Sequence, residues 1–292
     1  MARGLRTLAL AVLPLAAASW ALADERKPVW QTRTLVASGS ARLRLAGGWF
    51  DMGSDEAELS RARALCGASC KDAELAAETP RRRVYVRAFS IDALEVSNAA
   101  HQRCVDAGRC YPPRSAEHAA QPDWPVVQLS WREARAYCHF AGGDLPSEAQ
   151  WEIAAHGSSR RSFPWGETFE PSRVATGLQS VAALPAGKSF FGLLNMAGNV
   201  AELVLDRFAA PYPAVLPSVD PLNEGGSSLL RTSGERVLRG GSYRSAPHAL
   251  RARARAAIRE DEAREDVGMR CAYQEPPRER APAPATVSGQ PL

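Results

Sequence analysis

The clearest alternation of polar and apolar positions lies at Arg83-Val84-Tyr85-Val86-Arg87-Ala88-Phe89. A period of two over that length predicts a strand with one buried face. Helices are marked by their caps. Ser130-Trp131-Arg132-Glu133 and Ser147-Glu148-Ala149-Gln150 carry the S-x-x-E/Q spacing, in which each side chain satisfies the other residue's backbone donor. They predict helices to about Phe140, before Gly142-Gly143, and through about Ala155, ended by Gly157. Asn98 is placed to cap another helix to about Ala107, with Gly108 as its stop. Residues 54–80 are polar and Ala-rich and predict a long surface loop with a little helix. From about 158 to 273 the apolar runs shorten and Gly, Pro, Ser and Asn multiply, which predicts loops and short strands.

The ends differ from the middle. Arg3 and Arg6 precede an apolar run from Leu8 to Leu22, and Ala21-Leu22-Ala23 fits a small-residue cleavage site. Residues 1–23 are therefore expected to be a signal peptide, with Asp24 opening the mature chain. The run is too short and Ala-rich for a spanning helix, which needs roughly 20 strongly apolar residues. The expectation is an exported chain, soluble in the periplasm, with no membrane insertion. Residues 24–44 read as an arm or an edge strand, 45–273 as a single domain without a clean linker, and 274–292 as a disordered Pro- and Ala-rich tail.

Export changes the meaning of the cysteines. The chain has 6: Cys66, Cys70, Cys104, Cys110, Cys138 and Cys271. In an oxidising compartment an even number favours a disulfide framework. Proximity suggests Cys66–Cys70 and Cys104–Cys110, which leaves Cys138–Cys271 as a long-range staple. Metal binding by Cys66 and Cys70 is the weaker alternative, because no second Cys or His pair lies nearby. Composition is that of an ordinary globular chain, 45% hydrophobic and 23% charged. A net charge of +4, thinly spread and without interleaved aromatics, argues against nucleic acid. No H-E-x-x-H, G-x-S-x-G or P-loop motif is present.

Asn195-Met196-Ala197-Gly198-Asn199-Val200-Ala201-Glu202 gathers amides, a carboxylate and a glycine. Such a run either wraps oxygens around a hard cation or forms a turn held by Asn side chains. Its context is specific. Gly47-Gly48-Trp49-Phe50-Asp51-Met52-Gly53-Ser54, Glu95-Val96-Ser97-Asn98, Leu129-Ser130-Trp131 with Ala136-Tyr137-Cys138, and Leu145 to Glu152 come first. Phe163-Pro164-Trp165-Gly166, Gly192 to Val200, Arg239-Gly240-Gly241-Ser242-Tyr243 and Gly268-Met269-Arg270-Cys271 follow. With these blocks in this order, the chain resembles the formylglycine-generating enzyme family, the sulfatase-modifying-factor domain, from about Leu45 to Tyr273.

The resemblance implies an α+β, formylglycine-generating-enzyme-like fold with little regular secondary structure, related to C-type lectins. It implies a calcium site at the side chains of Asn195 and Glu202 and the carbonyls of Gly198 and Val200. A second family calcium site needs an Asn and an Asp upstream, and the stretch from Arg173 to Gly177 lacks both, so a single calcium is expected. It also implies the Cys138–Cys271 pair. Catalytic members bind copper through two cysteines shortly after the Gly-Gly-Ser-Tyr block. Here Arg244 to Arg255 contains no cysteine, and the family's Trp before Glu202 is Ala201. No copper is expected, since Cu(I) wants soft thiolates. His248 alone makes no copper site and reads as a surface residue.

Arg251, Arg253 and Arg255 alternate with alanines, so a strand would align their guanidinium groups on one face. They either bind an acidic partner or anion, or are neutralised by Glu260, Asp261, Glu262, Glu265 and Asp266. Exported relatives without the cysteine pair resemble periplasmic accessory proteins such as the regulator of type VI secretion that acts with a transmembrane Ser/Thr kinase. A non-catalytic binding or regulatory role is therefore expected, with a kinase ectodomain or an outer-membrane lipoprotein as partner. The competing expectation is an oxidase of siderophore chromophore maturation using non-cysteine chemistry. Thiol titration of the unreduced, denatured protein should find no free cysteine; any reactive thiol contradicts the pairing.

Overall fold

The computed structural model describes residues 33–37, 40–67, 70–159, 161–225 and 234–275. The expected signal peptide, residues 24–32 of the arm and residues 276–292 of the tail lie outside them. In chain order the strands are β1 (Arg33–Ala37), β2 (Ser40–Leu45), β3 (Gly48–Met52), β4 (Arg82–Val86), β5 (Phe89–Asp92), β6 (Ala201–Arg207), β7 (Glu235–Arg239), β8 (Arg255–Arg259), β9 (Val267–Gly268) and β10 (Ala272–Gln274). The helices are α1 (Glu56–Cys66), α2 (Asp72–Ala76), α3 (Asn98–Asp106), α4 (Ala116–Ala119), α5 (Trp131–Phe140) and α6 (Glu148–His156). One sheet runs β1-β2-β5-β10, a second pairs β3 with β4, and a third runs β8-β7-β6-β9. This is the expected α+β fold with modest regular structure. Among the described residues no helix is long and apolar enough to cross a membrane.

The alternating run divides in two. Arg87 and Ala88 separate β4 from β5, yet Leu45 faces Phe89 and Gly48 faces Val86 in one unbroken register. The two strand pairs thus form one bent antiparallel ribbon. Residues 33–44 belong to the fold as the β1–β2 hairpin, with β1 at the sheet edge. At the other end Gln274 sits in β10, and Glu275 binds Arg44 at 3.1 Å, so the ordered chain extends past the expected boundary.

Both capping boxes form as expected, at Ser130 with Glu133 and at Ser147 with Gln150. For α3 the cap is Ser97 rather than Asn98, because the Ser97 hydroxyl accepts from the Ala100 N–H. Asn98 is buried and donates to the carbonyls of His118 and Gln121 at 2.7 and 2.9 Å. Residues 54–80 hold more helix than expected. Asp55 and Glu58 form a further capping box that starts α1, a D-x-x-E signal masked by the polar composition around it.

Two apolar clusters form the core. Phe50, Phe89, Ile91, Trp151, Ile153 and Met196 pack in the first. Trp131, Tyr137, Leu145, Leu203 and Met269 pack in the second, around Cys138 and Cys271. That disulfide joins α5 to the chain entering β10, with Cα atoms 5.4 Å apart, and Cys104–Cys110 and Cys66–Cys70 form as well. Helix α6 lies at the centre with every residue buried, acidic ones included. Buried charge requires partners. Arg239 reaches Glu148 at 3.2 Å and Glu152 at 2.6 Å, and Arg255 grips both Glu148 oxygens at 2.6 and 2.9 Å. Burial alone would raise the Glu152 carboxyl, but Arg239 and then His156 hold it down at about 2.

Arg239→Met would leave Glu152 without its guanidinium inside the core. Removing one partner of a buried pair costs about 3–5 kcal/mol, so urea unfolding should show a loss of that order. An unchanged midpoint would contradict the central role of this pair.

Candidate functional site

The site is built from two tight turns that dock on each other. The first spans Asn195 to Glu202, with Asn195, Gly198 and Asn199 at φ 57°, 96° and 61°. The second begins at Gly240 and Gly241, at φ 82° and 63°, and ends in the short 3-10 turn Pro247–Leu250. The Gly198 N–H donates to the Gly240 carbonyl at 3.1 Å, and the Tyr243 N–H to the Asn199 carbonyl at 3.0 Å. Glycine is required at 198 and 240 by conformation and by space. A Cβ on Gly198 would lie 2.8 Å from Val174 Cγ1, and one on Gly240 would lie 3.0 Å from Trp151 Cζ2.

Beneath the first turn lies Glu95, which the sequence offered only as part of a matching block. Its carboxylate accepts from Asn195 Nδ2 at 2.8 Å, Asn199 Nδ2 at 2.7 Å and the Val200 N–H at 3.3 Å. Burial, and then the neighbouring Glu202 carboxylate, push its pKa up to about 8. Glu202 is also buried. Its oxygens accept from Arg270 Nε and Nη2, both at 2.7 Å, and from Trp151 Nε1 at 2.7 Å. Arg270 further holds the carbonyls of Asp92 and Leu194 at 3.0 and 2.7 Å. The turn is therefore fastened by side-chain amides and a buried ion pair.

The expected calcium ligands Asn195, Gly198, Val200 and Glu202 do lie on this single turn. An amide oxygen, two carbonyls and a carboxylate are hard donors of the kind calcium takes. Arg270 already neutralises Glu202, so an ion bound there would share that carboxylate with a guanidinium. Among the described residues no group of three or more His, Cys, Asp and Glu side chains could hold a metal ion.

The expected arginine face does not exist. Arg251, Arg253 and Arg255 are buried, and only Arg255 lies on a strand. Arg251 is paired with Glu78, Arg253 lies 3.3 Å from Glu58, and Arg255 binds Glu148. None binds the acidic residues 260–266 that were expected to neutralise them. The strand that would align them begins only at Arg255, and all three side chains turn inward to carboxylates of α1, α6 and Glu78. No partner can reach it.

The stretch from Arg244 to Arg255, which the family resemblance marked as the copper-binding segment, is packed against its neighbours. Leu250 is buried with Phe163 and Ala197, against Leu65 of α1. His248 is not the surface residue expected: its side chain is 13% exposed, with Nε2 3.7 Å from Glu74. All six cysteines are in disulfides. Beside this stretch an open groove of about 470 Å³ is lined by Gln128, Ser242, Ser245, Arg264 and Asp266.

A fold of three small sheets around a buried α6, with the Asn195–Glu202 turn docked on a Gly-Gly-Ser-Tyr loop, defines a family. Residues 30–275 match the sulfatase-modifying factor enzyme 1-like domain, and the chain belongs to that family. The formylglycine-generating enzyme of Streptomyces coelicolor is 36% identical over 173 residues, covering 52% of this chain and 53% of that protein. The inactive C-alpha-formylglycine-generating enzyme 2 of Bos taurus is 31% identical over 172 residues, covering 51% and 50%. The chain thus spans about half the length of these curated relatives. The solved structure of PvdO from Pseudomonas aeruginosa shares the fold at a TM-score of 0.64 and 19% identity, covering 83% of this chain and 97% of that one.

Glu95 gives the site a pH signature. A carboxyl that titrates at about 8 when folded and near 4.5 otherwise binds its proton more tightly in the folded state. Its contribution to stability therefore falls as pH rises through that window. In chelator, Glu95→Gln should flatten the dependence of Tm on pH between 5 and 8. Parallel profiles would remove Glu95 as the cause.

Proposed function

We propose that this chain is a non-catalytic, periplasmic binding and regulatory member of its family, engaging the periplasmic part of a transmembrane Ser/Thr kinase that activates type VI secretion. An outer-membrane lipoprotein is the second partner class that fits the same role. The observation that carries the reading is the filled loop from Arg244 to Arg255. Where catalytic relatives place thiols, Leu250 is buried in apolar packing and Arg251, Arg253 and Arg255 are tied to internal carboxylates. A similar protein named as inactive, 31% identical over 172 residues, is consistent with this reading. The disulfides support an oxidising location.

A single calcium at Asn195, Gly198, Val200 and Glu202 belongs to the same proposal. It would brace the turn on which the Gly240 loop rests. Chelation should then lower Tm, with recovery on adding calcium, because a ligand bound only to the folded state stabilises it. A Tm indifferent to chelator and calcium would mean that Arg270 alone balances Glu202.

Activity and binding separate the readings. With copper, oxygen and a cysteine-containing sulfatase-type peptide, the purified protein should form no aldehyde. It should form a stoichiometric complex with the purified periplasmic portion of the kinase in sedimentation velocity. Oxygen consumption with a siderophore chromophore precursor would overturn the proposal in favour of an oxidase with non-cysteine chemistry.

A further inference from the structure

Almost every described arginine with a placed side chain meets a carboxylate. Arg82 instead binds the carbonyls of Pro213, Leu216 and Pro217, and Arg161 lies over the Phe190 ring. That leaves Arg103 and Arg109. Arg103 has a single 3.4 Å contact to the Ala99 carbonyl, and Arg109 has no side-chain partner among the described residues. Both are exposed, and they flank the Cys104–Cys110 disulfide. The next residue, Tyr111, is 75% exposed, the highest value among the exposed large hydrophobic side chains.

The loop that carries them is held at both ends. Gly108 at φ 66° closes α3, and the Arg109 N–H returns to the Cys104 carbonyl at 3.0 Å. Pro112 and Pro113 follow Tyr111, and Arg114 then grips both oxygens of Glu133 at 2.9 and 3.1 Å. A disulfide, two prolines and a bidentate ion pair all restrict a loop whose central side chain stands three-quarters exposed. Fixing a segment in advance removes ordering entropy from a later binding step. Tyrosine and arginine are also enriched among the residues that dominate interface energetics.

We propose that the 109–113 loop is the partner-docking surface, with Tyr111 inserting into an apolar cleft on a folded protein and Arg103 and Arg109 meeting acidic residues at its rim. The charge pattern selects this partner class. Two exposed guanidinium groups that meet neither a carboxylate nor a ring among the described residues are complementary to an acidic surface. The inference deepens the proposed binding role and rests on it, but it does not require the partner to be a kinase.

The test places a benzoylphenylalanine photo-cross-linker at position 111 and, as a control, at exposed Phe190, in the exported protein in intact cells. The protein cross-linked from position 111 is identified, purified and titrated against wild type, Tyr111→Ala and the Arg103→Ala/Arg109→Ala double variant. The expected result is an adduct from position 111 and none from 190, joined through an Asp- or Glu-rich peptide. Affinity should fall at least tenfold in each variant, and wild-type binding should weaken with salt, with Tm unchanged. No adduct from position 111, or variants that bind like wild type, overturns the docking surface. The adduct's identity judges the other reading separately: a kinase ectodomain supports it, and a different protein removes the kinase while leaving the loop's role intact.

Discussion

Two glutamates on one wholly buried helix, Glu148 and Glu152, meet two arginines from neighbouring strands, Arg239 and Arg255, and the remaining elements are arranged around that meeting. Charges removed from water must find partners, and these find them in fixed directions. Tyr212 adds its hydroxyl to Glu148 at 3.2 Å, and the Gly53 N–H donates to Glu152 at 2.7 Å. One helix turn thereby fixes β7, β8, the chain after β3 and the loop before Pro213. The same helix supplies Trp151, whose indole packs beside Gly240 and whose N–H holds Glu202. Core and site are thus parts of one hydrogen-bonded system.

Much of this was legible in the sequence where a single residue type forces a single outcome. The Ser130 and Ser147 capping boxes, the Gly157 stop and the disulfide partners were all legible for that reason. Where a residue's role depends on what lies opposite, the sequence was silent. Alternation put Arg251, Arg253 and Arg255 on one face but could not say that Glu78, Glu58 and Glu148 would meet them. Asp55 and Glu58 were hidden because a capping signal in a polar stretch has no apolar period behind it. Glu95 was visible only as a letter in a block, since its importance comes from amides some hundred positions away.

The functional reading follows from occupancy rather than from loss alone. A missing cysteine pair would leave a thiol-free pocket. Here apolar side chains fill that place and α1 lies against it, with ion pairs from Glu58 and Glu78 to the arginines just beyond. Around the Cys104–Cys110 bridge the side chains of Arg103, Arg109 and Tyr111 are exposed.

The Cys138–Cys271 bond spans 133 positions and lies inside the second apolar cluster. Closing so long a loop removes disorder from the unfolded chain worth about 4–5 kcal/mol in the chain-entropy view, comparable to the whole stability of a marginal domain. A chain whose Cys138 and Cys271 are reduced lacks that contribution. It gains full stability only where oxidants close the loop. The same bond that anchors α5 also ties the sturdiness of the polypeptide to the redox state of its surroundings.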